Sequence, residues 1–269
     1  DIATHFDEVY FTHTNKDRPE FYITCGTYKG VPVGALSVGI GTPSMEIACN
    51  ELHALFEYDH TRDVWHTPEK PINIIRLGTA GTSLRDIPLG AYAITQYSLG
   101  LDNAGVYYPV AHQSEESFQL LQALRTTSFG AVNPALYVAP AHAMVVDALQ
   151  RVAGEQGAKA VKGLTTTSPG FFAAEGRQVG RLTTAFTLEE FIKEVEKFSC
   201  HGMRIVSHEM ETSILFRILY EQLGYRVGAL CVILDNVRSN EVISKEEYRK
   251  RMDGAIITVL SAITQLSKE

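Results

Sequence analysis

The sequence predicts a three-layer α/β sandwich domain around a mixed β-sheet. Apolar, β-rich segments alternate with segments of helical period, and strand ends open into Gly-rich turns. No internal repeat, low-complexity tract or linker interrupts the 269 residues, so residues 1–269 read as one domain. Hydrophobic residues make up 45% of the chain, which is ample material for a core.

Taken in order, Phe21–Tyr28 alternates like a strand, and Val31–Ile40 is a second strand with Gly30 at the turn between them. GIGTPS then opens a helix in which Met45, Ala48, Leu52 and Leu55 share one face. Thr42 is the expected cap and Pro43 suits the first turn. A polar insert dotted with aromatics, Glu57–Pro71, precedes a strand over Ile72–Leu77 that ends in GTAG. Strand Ala91–Tyr97 follows, then helices over Ser114–Thr126 and Pro140–Gln156. Strand Ala160–Thr166 runs into the turn-rich TTTSPGFFAAEGR. A helix near Leu188–Phe198 and a strand Met203–Ser207 lead to SHEMETSILF, whose helix places Ile214, Ile218 and Leu219 on one face. Strand Val227–Leu234 and a long helix, Lys245–Leu266, complete the order.

The net charge of −7, with Lys and Arg scattered, argues against nucleic acid or an anionic membrane as partner. No apolar run approaches the length of a membrane span. Cys25, Cys49, Cys200 and Cys231 form no CxxC pair and read as reduced thiols, so the expected compartment is cytoplasmic.

Four segments can carry chemistry. GIGTPS has Gly39 and Gly41 but Ser44 where a dinucleotide fingerprint needs a third Gly, so a tight strand-to-helix turn competes with that reading. In IIRLGTAGT, Arg76 ends an apolar strand, where a guanidinium needs an anionic partner. Gly78 and Gly81 can turn backbone N–H groups toward one point and Thr79 adds a hydroxyl, which suits an oxyanion; an Arg paired with a core carboxylate is the alternative. In FFAAEGR, Phe171 and Phe172 offer a face for a flat ring, and Glu175 and Arg177 offer hydrogen bonds to its edge; simple packing is the alternative. In SHEMETSILF, Glu209 and Glu211 sit at a strand-to-helix junction, where both carboxylates can converge on a vicinal diol or serve as N-terminal acids. HExxH, Cys/His metal spacings and a GxSxG elbow are all missing.

An anion site, a ring site and a diol site together describe a ribonucleoside plus phosphate. The succession GIGxPS, IIRLGTAGT, FFAAEGR and HEMETSILF resembles the nucleoside phosphorylase-I family over nearly the whole chain, and within it the uridine-cleaving members. The resemblance implies a central sheet that is partly barrel-like. It also implies phosphorolysis, in which uridine and inorganic phosphate give uracil and ribose 1-phosphate without an organic cofactor. On that footing Arg76 and Thr79 hold phosphate, with Arg18 lent by a neighbouring subunit, so the chain is expected to be at least a dimer. Met210 and Glu211, with Glu209 and Thr79 alongside, line the ribose. Phe171, Glu175, Arg177, Ala80, Gly81 and Asp235 surround the base. Some members place a cation on the dimer axis, at residues matching Glu20, Ile40 and Ser44.

The chain departs from the family at several points. The family's Gly-Asp-Pro-x-Arg phosphate loop precedes the segment matching Asp1-Ile2-Ala3 and is expected upstream of Asp1. Glu175 stands where uridine enzymes carry Gln, and Asp235 falls near the general acid of purine-specific relatives. Arg18 matches with a one-residue shift because of Pro19, and the insert 57–71 is longer than in bacterial relatives. Purine nucleoside phosphorolysis, nucleoside hydrolysis and a binding protein that kept the fold are the competing readings.

Overall fold

The computed structural model describes residues 2–268, with Arg18 described by its backbone alone. A three-stranded antiparallel sheet opens the chain: β1 (Glu8–Asn15), β2 (Arg18–Tyr28) and β3 (Val31–Leu36). Strand β1 is absent from the sequence-based expectation for a physical reason. All eight of its residues are exposed, so it has no buried face to impose a period-two pattern. Strand β3 ends at Leu36, short of the predicted Ile40, because Gly39 and Gly41 take positive φ (72° and 93°) and turn the chain into helix α1 (Thr42–Glu57). Gly41 is therefore the N-cap, and Thr42 lies inside the helix with no side-chain cap bond; Pro43 does occupy the first turn. The insert forms a small hairpin, β4 (Tyr58–Asp59) with β5 (Val64–Trp65), folded back so that Trp65 stacks on His53 of α1 with centroids 4.9 Å apart.

The main sheet comprises β6 (Asn73–Thr82), β7 (Tyr92–Gly100), β8 (Tyr137–Pro140), β9 (Ala160–Thr167), β10 (Ser199–Cys200), β11 (Met203–Glu209), β12 (Arg226–Asn236) and β13 (Glu241–Val242). Interleaved with these are α2 (Glu115–Arg125), α3 (Ser128–Val132), α4 (Ala143–Glu155), α5 (Leu188–Lys197), α6 (Thr212–Leu215) and α7 (Lys245–Leu266), with a π-helical turn over Phe216–Gln222 after α6. The strand order is β13-β12-β6-β11-β9-β7-β8, and β12 also pairs with β7. That extra pairing closes β12, β6, β11, β9 and β7 into a five-stranded barrel of mixed parallel and antiparallel neighbours.

Two predicted boundaries move. Strand β6 does not end before GTAG but runs through it to Thr82, pairing Gly78 with Cys231 and Gly81 with Asp235. The glycines thus sit in the ladder rather than in a turn. The helix predicted from Pro140 begins at Ala143, because Tyr137–Pro140 is a strand paired with Tyr97–Gly100. An apolar run that short reads equally as helix or strand.

Packing explains the layers. One core lies between the sheet and α1, α4, α6 and α7, and includes Met45, Val145, Leu149, Ile214, Phe216, Val227 and Val259. A second lies between the sheet and α2, α3 and α5, around Leu120, Phe129, Leu164, Phe191 and Ile205. A third draws Ala80, Ala93, Val161, Val206, Cys231 and Ile233 from all five barrel strands, with Leu84 and Ile87 packed among them. Helices on both sides of a mixed sheet are the predicted sandwich, with the barrel at its centre.

Phe191 is fully buried, and its ring meets Phe129, Phe186 and His208. Phe191→Ala is expected to cost about 3–5 kcal/mol of stability through the cavity it leaves. Denaturant titration of the purified variant checks this; a loss below about 1 kcal/mol contradicts the packing described.

Candidate active site

Arg76, the fourth residue of β6, reaches with its side chain to the end of β11, where the chain passes through Glu209, Met210 and Glu211 into α6. Arg76 Nη2 donates to Glu211 Oε2 in a short hydrogen bond and lies 3.2 Å from Glu209 Oε2. Arg76 Nη1 faces Cys231 Sγ at 2.8 Å. Burial pushes the Cys231 thiol up to about 11, so it is a neutral, weak acceptor. Burial alone would lower the Arg76 pKa, but the charges around it hold the guanidinium firmly protonated. A glycine at position 78 is required here: a β-carbon on Gly78 would come within 2.6 Å of Arg76 Nη1. The long side chain lies across that bare backbone.

The two carboxylates are not equivalent. Glu209, with its side chain only 1% exposed, accepts from Thr167 Oγ1 at 2.5 Å and from the amides of Glu211 and Thr212, both at 2.9 Å. It caps α6, using the helix N-terminus as its counter-charge. Glu211 has fewer fixed partners: the amide of Gly41 donates to its Oε1 at 2.5 Å, and Arg76 takes Oε2. The first turn of α1 therefore reaches the same site. Met210 is partly buried between the two acids. Both carboxylates converge on Arg76, but the Glu209 oxygens also hold Thr167 and the amides of Glu211 and Thr212.

The second cluster lies on the adjoining part of the barrel mouth. His208 pairs with Gly81, and Gly81 with Asp235, so one rung of three strands joins the two clusters. Arg177 Nη2 donates to Glu175 Oε2 at 2.7 Å and reaches Asp235 Oδ2 at 3.5 Å. Its guanidinium sits 4.3 Å over the Phe171 ring, and Phe171 itself stays 48% exposed. Arg177 Nε is buried and has no hydrogen-bond partner among the described residues. Burial raises Glu175 to about 7 against the opposing pull of Arg177. Burial also raises Asp235, again opposed by Arg177. Below these groups His208 is held neutral, lowered to about 3 by burial and by the Arg177 charge, with Ser83 Oγ 2.9 Å from Nε2.

Among the remaining predicted residues, Thr79 is half-buried opposite Val232, and Ala80 is buried opposite Ile233. The side chain of Arg18 lies outside the described residues. Glu20 and Ser44 come together at Gly39: a β-carbon there would be 3.1 Å from Ser44 Oγ and 3.7 Å from Glu20 Cβ. Ile40 is 79% exposed beside them. Among the described residues no group of three or more His, Cys, Asp or Glu could hold a metal ion. Sequence reasoning missed Cys231, Thr167 and the Gly41 amide. Gly41 had a signal, since a Gly ahead of a helix start exposes free amides; the other two are ordinary strand residues with none.

A family model described as the phosphorylase superfamily matches residues 1–265. The uridine phosphorylase of Haemophilus influenzae is 23% identical over 268 residues, covering 98% of this chain and 87% of its own. That of Escherichia coli is 24% identical over 243 residues, covering 88% and 77%. Among solved structures, a Trypanosoma brucei nucleoside phosphorylase, described as showing uridine phosphorylase activity, superposes with a TM-score of 0.89 at 28% identity. It spans 98% of this chain and 89% of its own. A uridine phosphorylase of the oomycete Phytophthora capsici shares the fold at a TM-score of 0.69 and 19% identity, over 97% and 84% of the two chains. A family match that runs the length of the fold, with a charged barrel mouth built on it, makes the conclusion plain: the chain belongs to the phosphorylase superfamily and is an enzyme.

Proposed function

We propose that this enzyme is a nucleoside phosphorylase, a pentosyltransferase that converts uridine and inorganic phosphate to uracil and ribose 1-phosphate. One observation carries the reading: Arg76 is shared between Glu211 and Glu209, and the rung His208–Gly81–Asp235 joins that group to the Glu175–Arg177 pair. The low identity to uridine phosphorylases leaves the base preference to the site itself. In this reading phosphate takes Arg76 and Thr79, with Arg18 from a second copy. Glu211, released from the guanidinium, turns to the ribose hydroxyls beside Met210, while Glu209 stays as the helix cap. Phosphate held beneath C1′ supplies proximity for an oxocarbenium-like transition state. Phe171 covers the ring, and Arg177 stabilises charge on the departing base through the donors it already aims into the mouth. Ala80 and Gly81 border the ring.

A dimer belongs to the same proposal, supported by exposed apolar residues on and beside α1: Ile40, Ile47, Leu55 and Phe56. A cation near Glu20, Ile40 and Ser44 would be completed by the same donors from the second copy. The cytoplasmic, pyrimidine-salvage setting is likewise part of the proposal; among the described residues no helix is long and apolar enough to cross a membrane. A second reading, purine nucleoside phosphorolysis, is favoured by Asp235, whose carboxylate sits 3.5 Å from Arg177 where it could protonate a purine ring nitrogen.

The deciding assay is base release from uridine and from inosine, with and without phosphate. Phosphate-dependent uracil release is expected. Turnover of inosine alone would replace the pyrimidine reading, and release without phosphate would make the enzyme a hydrolase.

Two substitutions test the division of labour. Arg76→Ala should raise the KM for phosphate and lower kcat/KM by about a hundredfold, as expected for loss of one transition-state donor. Glu211→Ala should lower kcat/KM for ribosides about tenfold more than for 2′-deoxyribosides, the effect of losing a charged hydrogen-bond acceptor. Equal losses on both sugars would contradict the ribose role.

The raised pKa of Glu175 sets a direction in pH. Below about 7 it is a neutral acid; above, it is a carboxylate that accepts the pyrimidine N3–H. Accordingly kcat/KM for uridine should rise as pH increases through about 7. Glu175→Gln, which cannot titrate, should flatten that limb; an unchanged pH profile assigns the limb to another group.

A further inference from the structure

Behind the Glu209–Glu211 segment lies a buried polar network with no counterpart in the roles described so far. Asp102, at the end of β7, is 3% exposed. Its Oδ1 accepts from the Ala104 amide at 2.8 Å, and its Oδ2 from Ser213 Oγ at 2.8 Å. Tyr137 Oη donates to the same carboxylate at 2.9–3.0 Å and lies 2.8 Å from Ser213 Oγ. The Tyr137 ring has no room to move. β-carbons on Gly100 and Gly105 would fall 2.5 and 2.2 Å from it, and Arg217 lies over it at 5.2 Å.

Proton bookkeeping connects this network to Glu209. Thr167 Oγ1 has one proton and gives it to Glu209 Oε1. Its two lone pairs then accept from the Ser213 amide at 3.0 Å and from Ser98 Oγ at 2.8 Å. Ser213 is consequently held at both ends, its amide by Thr167 and its hydroxyl by Asp102. With Glu209 capping the amides of Glu211 and Thr212, every amide of the segment 211–213 is tied to a buried side chain. Glu211 has no such tie on its own carboxylate beyond Arg76 and Gly41. Its placement is set by the backbone that this network fixes.

We propose that Asp102 is a positioning residue for the nucleoside site: through Ser213 it fixes the first turn of α6 and so the direction in which Glu211 meets the sugar. This rests on the nucleoside phosphorylase reading. A buried carboxylate is costly unless it is hydrogen-bonded, and here hydroxyls and an amide supply those bonds. A charged group that is buried, fully hydrogen-bonded and one residue contact removed from the reacting segment fits a task of precision better than one of stability. Asp102 touches neither sugar nor phosphate in this scheme, so it is not a catalytic residue.

The test uses the full chain and a ratio that a purely structural role leaves alone. Asp102→Asn keeps the shape but faces the three donors with a carboxamide that can accept through only one oxygen. Ser213→Ala removes the single hydroxyl that links Asp102 to α6. Both variants are assayed with phosphate on uridine and on 2′-deoxyuridine, beside the parent enzyme and with thermal melting as control. The expected result is a loss of about tenfold or more in kcat/KM for uridine, the scale of a sub-ångström misplacement of a reacting group. The loss on 2′-deoxyuridine should be smaller, so that the preference for the riboside shrinks in both variants. An unchanged riboside-to-deoxyriboside ratio, with activity falling only as the folded fraction falls, overturns the proposal. If Asp102→Asn does not fold, Ser213→Ala decides on the same ratio. A parent enzyme that releases base from neither nucleoside overturns the functional reading, and the positioning role falls with it.

Discussion

Arg76 can be charged inside the barrel mouth only because Glu209 and Glu211 meet it there. Its side chain is 10% exposed and the two carboxyl side chains are 1% and 9% exposed. Breaking a buried pair of this kind by removing one partner costs about 3–5 kcal/mol. The guanidinium can therefore exchange Glu211 for another anion, but it cannot be left alone. Which carboxylate yields is decided by what else holds it. Glu209 keeps a hydroxyl and two helix amides, whereas Glu211 keeps one amide. In the function proposed above, an arriving oxyanion would therefore displace Glu211 and leave Glu209 in place, freeing the carboxylate assigned there to the sugar.

The fold supplies that arrangement from separate directions. Strand β6 brings Arg76 and must be bare at Gly78 for the side chain to cross it. Strand β11 ends at Glu209, and the short α6 starts immediately after Glu211. Helix α1 contributes its first free amide, at Gly41. Strands β6 and β11 pair directly, and the rung His208–Gly81–Asp235 sets the Glu175–Arg177 cluster next to them. In the second cluster one guanidinium again faces two carboxyl groups, Glu175 and Asp235, and burial raises both. Glu175, raised to about 7, can take or give a proton near neutrality.

Much of this was legible in the residues. Helix α7 matches its predicted bounds, because a long segment with a Ser244 cap and a sustained apolar stripe has one reading. The motifs around Arg76, Glu175–Arg177 and Glu209–Glu211 point to an anion, a ring and a diol; the structure pairs Arg76 with Glu209 and Glu211 and joins them to Glu175–Arg177 through one rung of the sheet. What could not be read came from two sources. Gly78 and Gly81 signal a turn in sequence, yet here they continue a strand, since the requirement they meet is clearance for Arg76 and Asp235 rather than positive φ. The partition between Glu209 and Glu211 depends on Thr167 and Gly41, which are 42 and 170 residues distant from the acids they bind. No local pattern encodes contacts of that separation. The same holds for Asp102 and Ser213, 111 residues apart.

A crystal structure of the protein with phosphate and uridine bound measures the exchange at Arg76 directly. Phosphate should lie on the Arg76 guanidinium, with Glu211 turned to the ribose hydroxyls and Glu209 still capping α6. An Arg76 that keeps both carboxylates while phosphate binds elsewhere would contradict the site as described.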